Sequence, residues 1–140
     1  MTPIRSLDHI AIAVRDTEAA LARLSGDYGL PVIASEVIEA PHVRLTYLDC
    51  GNACIQLVEP LDEGSPIAEF LAAEGEGLHH LCFGVEDVPA AATELGGGVP
   101  PAAIGSGRGR PSAFVAGELP SGVRIEVTEL APDSADEPVT

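Results

Sequence analysis

The feature that most constrains this chain is that part of it is written twice. Residues 7–16 read Leu7-Asp8-His9-Ile10-Ala11-Ile12-Ala13-Val14-Arg15-Asp16, and residues 78–87 read Leu78-His79-His80-Leu81-Cys82-Phe83-Gly84-Val85-Glu86-Asp87. Leu7, His9, Ile10, Ile12, Val14 and Asp16 recur as Leu78, His80, Leu81, Phe83, Val85 and Asp87. In each copy large apolar side chains fall at every second position, which is the signature of a strand. Each copy then reaches an Asp, a preferred helix N-cap. A module of this kind has an apolar face too large to leave open, so a second copy is the natural cover.

The rest of each copy matches as well. The first helix is expected from about Thr17 to Ser25, with Leu21 and Leu24 on one face and Gly26 as its stop. The second opens at Val88-Pro89, where proline suits a first turn, and ends at Gly96-Gly97-Gly98. Strands follow at Val43–Leu48 and Ser112–Ala116, and Glu36–Glu39 supplies another to the first copy. The copies close alike: Ala53-Cys54-Ile55-Gln56-Leu57-Val58-Glu59 resembles Val123-Arg124-Ile125-Glu126-Val127-Thr128-Glu129, with Gln56 on Glu126. Turn signals precede both, Gly51-Asn52 and Pro120-Ser121-Gly122.

The expected fold is therefore α+β: two tandem β-α-β-β-β modules forming a curved eight-stranded sheet. Module one spans about 4–62 and module two about 76–130, within a single domain over 1–130. A linker helix at about 65–74 starts at Ser65-Pro66 and ends by Gly75–Gly77. The polar, acidic tail 131–140 is expected to be disordered.

Repeat symmetry turns scattered polar residues into a site. His9 with His80, and Gln56 with Glu126, break the apolar pattern at equivalent positions. One lone histidine on a strand is an ordinary core residue, but a quartet at paired positions points to convergence. Two imidazoles and two oxygen donors suit one borderline divalent ion such as Co, Ni, Mn or Zn, with coordination positions left for water or substrate. His79 aligns with Asp8 and is expected on the opposite face from His80, as a structural or surface residue. His42 is expected in a loop.

Charge removes other classes. The chain has 22 Asp+Glu against 7 Lys+Arg, all arginine, for a formal charge of −15. That excludes the basic footprint that nucleic-acid phosphates require, and anionic membrane surfaces would repel it. No apolar stretch approaches the ~20 residues of a membrane span, and the N-terminus lacks the apolar core of a signal peptide. Cys50, Cys54 and Cys82 form no Cys-x-x-Cys and read as reduced residues of a cytoplasmic protein.

At this point the chain resembles the methylmalonyl-CoA epimerase family of the glyoxalase, or vicinal-oxygen-chelate, superfamily. The similarity lies in Leu7–Val14, in Ile55–Leu61 with Gly64–Leu71, in Gly75-Glu76-Gly77-Leu78-His79-His80-Leu81-Cys82-Phe83, in the loop Ile104-Gly105-Ser106-Gly107, and in Gly122–Glu126. It covers roughly residues 4–130. The resemblance implies a metal held by His9, Gln56, His80 and Glu126, and a homodimer. The implied reaction interconverts (2R)- and (2S)-methylmalonyl-CoA, or a related 2-substituted acyl-CoA, by α-proton abstraction through a metal-stabilised enolate. Glu126 is implied as a catalytic base as well as a ligand. Two departures matter. Leu45 stands where some family members carry a second catalytic carboxylate. Ala116-Gly117-Glu118 stands where many have His-Pro-Lys, so a customary lysine is missing. Arg108 and Arg110, with Gly105 and Ser106 in the same glycine-rich loop, are the substrate-binding candidates that could offset it. A glyoxalase-type isomerase and a non-catalytic binding module are the competing readings.

Overall fold

The computed structural model describes residues 1–131. The described chain divides into two compact units, one made of residues 9–80 and the other of residues 1–8 with 81 onward. Strand β1 (Ser6–Ala13) is followed by α1 (Thr17–Leu21), β2 (Val32–Glu39), β3 (His42–Asp49) and β4 (Cys54–Pro60). Helix α2 (Pro66–Glu74) leads to β5 (Gly77–Val85), α3 (Val88–Leu95), β6 (Gly105–Gly107), β7 (Arg110–Glu118) and β8 (Arg124–Glu129). This is the β-α-β-β-β succession expected from the repeat, twice over.

Strand order repeats with element order. The residue 9–80 unit runs β2-β3-β4-β1, and the other runs β6-β7-β8-β5. In the first, β4 pairs parallel with β1 and antiparallel with β3, while β2 pairs antiparallel with β3. In the second, β7 is antiparallel to both β8 and β6. The first strand of each module lies beside its last, so each module must close on itself before that pair can form.

Each sheet buries one face under its own helix. In the residue 9–80 unit, Val14, Leu48 and Leu57 pack with Ala20, Leu21 and Leu24. In the other, Val85, Ala113 and Val127 pack with Val88, Ala91 and Ala92 of α3. The opposite face of the residue 9–80 sheet carries Ala11, Val43, Leu45, Tyr47 and Val58, and receives Ile67, Phe70 and Leu71 from α2. Asp16 and Asp87 cap their helices as expected, accepting from Ala19 N and Ala90 N among others.

Several boundaries differ from the sequence reading. The first helix does not stop at Gly26: it widens into a π-helical turn over Ala22–Asp27, with Tyr28 N bonded to Arg23 O, and turns at Gly29, whose φ is 78°. Glycine at 26 was a weak stop because nothing there demands a positive φ. Strand β2 starts at Val32, earlier than expected, since its exposed valine and isoleucine sit on an edge with little alternation to read. His42 opens β3 instead of lying in a loop, and approaches Asp62 at 3.7 Å. The glycine-rich loop at 105–111 is a β-hairpin, β6 to β7, turning at Arg108-Gly109 with φ of 53° and 73°. Two consecutive positive φ values are the geometry of a primed hairpin turn, which twists in the same sense as its strands. The expectation for 131–140 lies, apart from residue 131, outside the described residues.

Candidate functional site

Three of the residues expected to hold a metal belong to the residue 9–80 unit, and all three are buried: His9, Gln56 and His80. Register explains the first pair. In the parallel ladder β1–β4, Ala11 lies opposite Gln56 and His9 opposite Cys54, so His9 and Gln56 are diagonal neighbours on one face. His80, in the early part of β5, brings its Nε2 to 3.3 Å from His9 Nε2. Two nitrogens each about 2.0–2.1 Å from one ion, at a tetrahedral angle, are separated by about 3.3–3.4 Å. The rings meet edge to face at 5.4 Å.

Gln56 supplies a second indication. Its Nε2 donates to the Tyr47 hydroxyl at 2.9 Å, and Tyr47 lies directly across the β3–β4 ladder. That bond leaves Oε1 aimed away from Tyr47, buried and, among the described residues, without a hydrogen-bond partner. A buried carbonyl oxygen left unmatched is unfavourable by about 1–3 kcal/mol, which a bound cation would relieve. An unmatched oxygen donor in the same unit as two facing imidazole nitrogens fits a divalent ion.

His79 is the structural residue expected, but it also reaches its neighbour. It is buried, with its ring edge-on to Phe70 of α2 at 5.0 Å, and its Nδ1 lies 2.7 Å from His80 Nδ1. Neighbouring strand residues do point to opposite faces. Nδ1, however, is the ring nitrogen nearest the backbone, so the two rings can still turn toward each other.

The remaining candidates belong to the other unit. Glu126, on β8, is half-buried and lies opposite Phe114 on the sheet face away from α3. Its carboxylate is among the groups that act on the Cys82 thiol. Burial pushes that thiol well above its ordinary range, and the charges of Glu126 and Asp8 push the same way, while Arg108 opposes them. Arg108 donates to Asp8 in an ion pair, Arg110 Nη2 lies 3.8 Å from the other Asp8 oxygen, and Arg110 Nη1 donates to Glu129 O at 2.8 Å. Two guanidiniums thus share one carboxylate. Gly105 and Ser106 are exposed on β6.

Tyr47, Asp8 and Cys82 escaped the sequence reading as site residues. Tyr47 looked like one more apolar strand residue; only the register that sets it against Gln56 gives it a role. Asp8 is visible in the repeat as the partner of His79, but its ionic contact is made to a residue a hundred positions away.

The chain is similar to several known proteins. Residues 8–116 match the model of the Glyoxalase/Bleomycin resistance protein/Dioxygenase superfamily. The ethylmalonyl-CoA/methylmalonyl-CoA epimerase of Cereibacter sphaeroides is 37% identical over 136 residues, covering 91% of this chain and 99% of that one. The crystal structure of methylmalonyl-CoA epimerase from Mycobacterium tuberculosis superposes with a TM-score of 0.84 at 31% identity, covering 97% of this chain and 95% of the other. A substituted methylmalonyl-CoA epimerase of Streptomyces coelicolor, in complex with 2-nitronate-propionyl-CoA, has a TM-score of 0.81 at 32% identity, covering 91% and 99%.

Proposed function

Because the chain belongs to the methylmalonyl-CoA epimerase family of the Glyoxalase/Bleomycin resistance protein/Dioxygenase superfamily, we propose that it interconverts (2R)- and (2S)-methylmalonyl-CoA, or the 2-ethyl homologue, through the acidic hydrogen α to the thioester. The observation that carries this reading furthest into the chain's own residues is the buried, unmatched Gln56 Oε1 in the unit where His9 and His80 turn their Nε2 atoms together. His9, Gln56 and His80, with Glu126, would hold one divalent ion, of the Co, Ni, Mn or Zn group. When bound, that ion would polarise the thioester oxygen and so acidify the α carbon.

The other steps are assigned to side chains. Glu126 removes the proton from one face of the α carbon, because among the four paired positions it alone offers a carboxylate. For the other face, Glu36 is the candidate. It lies directly across the β2–β3 ladder from Leu45, and so shares a sheet face with Tyr47 and Gln56. A carboxylate on β2 would thus replace one missing from β3. Arg108 and Arg110 share the single carboxylate of Asp8, which leaves positive charge for the free carboxylate of the substrate. The exposed backbone of Gly105 and Ser106 lines the same hairpin and would border the acyl-CoA.

A homodimer belongs to this reading, supported by the exposed Val32, Ile33 and Val37 on edge strand β2. So does a reducing, cytoplasmic setting, supported by three cysteines that form no disulfide among the described residues. Among the described residues no helix is long and apolar enough to cross a membrane.

The deciding experiment follows solvent deuterium into the α carbon of each methylmalonyl-CoA epimer with Co-loaded protein. Exchange and interconversion of both epimers are expected. No exchange from either epimer, together with turnover of a glutathione hemithioacetal, would transfer the chain to the glyoxalase isomerases.

A further inference from the structure

The metal reading uses His80 but leaves its neighbour idle. His79 is nonetheless one of the few polar side chains buried in the residue 9–80 unit, and a buried polar ring calls for a reason. A neutral imidazole carries one proton on one of two nitrogens, and only the bare nitrogen can bind a metal or accept a hydrogen bond. In His80 the two nitrogens have different neighbours. Nε2 faces His9 Nε2 at 3.3 Å, and Nδ1 faces His79 Nδ1 at 2.7 Å.

We propose that His79 is a positioning residue that fixes the tautomer of His80. His80 Nδ1–H donates to the bare Nδ1 of His79, so the His80 Nε2 lone pair is presented beside His9 before any ion arrives. This inference rests on the metal reading above for its purpose, though its geometry stands apart from it. The chain of donors then runs in one direction. His9 Nε2–H donates to His80 Nε2 in the metal-free protein, a proton that passes to His9 Nδ1 through solvent when an ion binds, His80 Nδ1–H donates to His79 Nδ1, and the His79 proton sits on its own Nε2. The edge-on contact with Phe70 at 5.0 Å and 79° holds the His79 ring in the plane this requires. Metal-binding histidines generally give their second N–H to a fixed acceptor, and here that acceptor is an adjacent residue in the sequence instead of a distant carboxylate. A neutral acceptor adds no negative charge beside the ion.

The opposite direction is equally compatible with heavy-atom distances alone, in which His79 donates to His80 and His80 Nε2–H donates to His9. That alternative would hide the His80 lone pair from an ion, and it gives the experiment its contrast.

Long-range proton–nitrogen NMR of metal-free protein reads the tautomer directly. Wild type is expected to carry the His80 proton on Nδ1. His79→Asn, whose side-chain oxygen can accept in place of Nδ1, should keep it there. His79→Phe, which keeps ring volume against Phe70 but cannot accept, should move His80 toward the Nε2–H form. Binding of Co(II) alone, followed by calorimetry, should weaken by about 10–100-fold in His79→Phe and recover to within a few-fold of wild type in His79→Asn. A wild-type His80 protonated on Nε2 would overturn the proposal without recourse to any variant, as would a His79→Phe protein that binds Co(II) like wild type. Should wild type take up no Co(II), the metal reading fails, while the tautomer spectrum still decides the role of His79.

Discussion

Replacing Tyr47 by Phe tests how Gln56 is held. Tyr47 is 1% exposed and Gln56 4%, so no solvent reaches their contact. The substitution removes one oxygen and leaves the Gln56 Nε2 donor, at present 2.9 Å from it, facing a ring edge. An orphaned buried amide donor is unfavourable by about 1–3 kcal/mol, and Oε1 is already unmatched, so the amide would then have both ends unsatisfied. Urea unfolding of metal-free protein should show that loss as a lower midpoint with an unchanged slope. In a Gln56→Leu background the same change should do much less, since no amide remains to be stranded, and the cycle should report a coupling of about 0.5–3 kcal/mol. Co(II) affinity of Tyr47→Phe should fall by about 10–100-fold, because the amide no longer has a reason to aim Oε1 in one direction. A coupling of zero, with Co(II) affinity unchanged, would refute the idea that Tyr47 orients the amide.

Other expectations are simpler to check. Glu126→Gln should keep much of the metal affinity, since Gln56 occupies the equivalent place, yet slow epimerisation by roughly 10²–10⁴-fold; full activity in the metal-loaded variant would remove Glu126 from proton transfer. Glu36→Gln should suppress α-deuterium exchange from one epimer more than from the other, and equal effects on both would dismiss it as a one-face acid–base group. Cys50 is exposed and Cys82 is 0% exposed with a raised pKa, so a thiol reagent at neutral pH should label Cys50 quickly and Cys82 only after unfolding. At Gly96 an added Cβ would lie 2.8 Å from Val99 O and 3.0 Å from Ala92 O, so Gly96→Ala should destabilise the protein by about 1–3 kcal/mol in the same urea assay.

The repeat made the modules legible because strand alternation and paired caps are local signals, and because evolution of two copies leaves matched positions. It singled out His9, Gln56, His80 and Glu126 as candidates for the same reason. What it could not convey were relations made by register and ring rotation. Tyr47 gains its role only when β3 slides into place against β4. His79 was assigned to the far face by the two-residue period, which is correct for its Cβ and silent about where Nδ1 ends up. Arg108 reads as part of a glycine-rich loop and not of a hairpin, because arginine is not a customary residue for a primed turn. Its φ of 53° is unfavourable for a side-chain-bearing residue by about 1–2 kcal/mol, and its ion pair with Asp8 favours the same conformation.

The parallel pairing of β1 with β4 has a kinetic consequence. His9 and Gln56 become diagonal neighbours only when the first and last strands of one module meet, after the whole intervening chain of helix and hairpin has been gathered in. Contacts of such long sequence separation form late and slow the search for the native topology. An ion that needs both residues therefore finds no binding place in the early stages of folding and cannot template them. It would act afterward, as a bolt on a door already shut. Added Co(II) should leave the refolding rate unchanged and slow unfolding in proportion to its occupancy, so that the gain in stability resides in the lifetime of the folded state and not in the speed of reaching it.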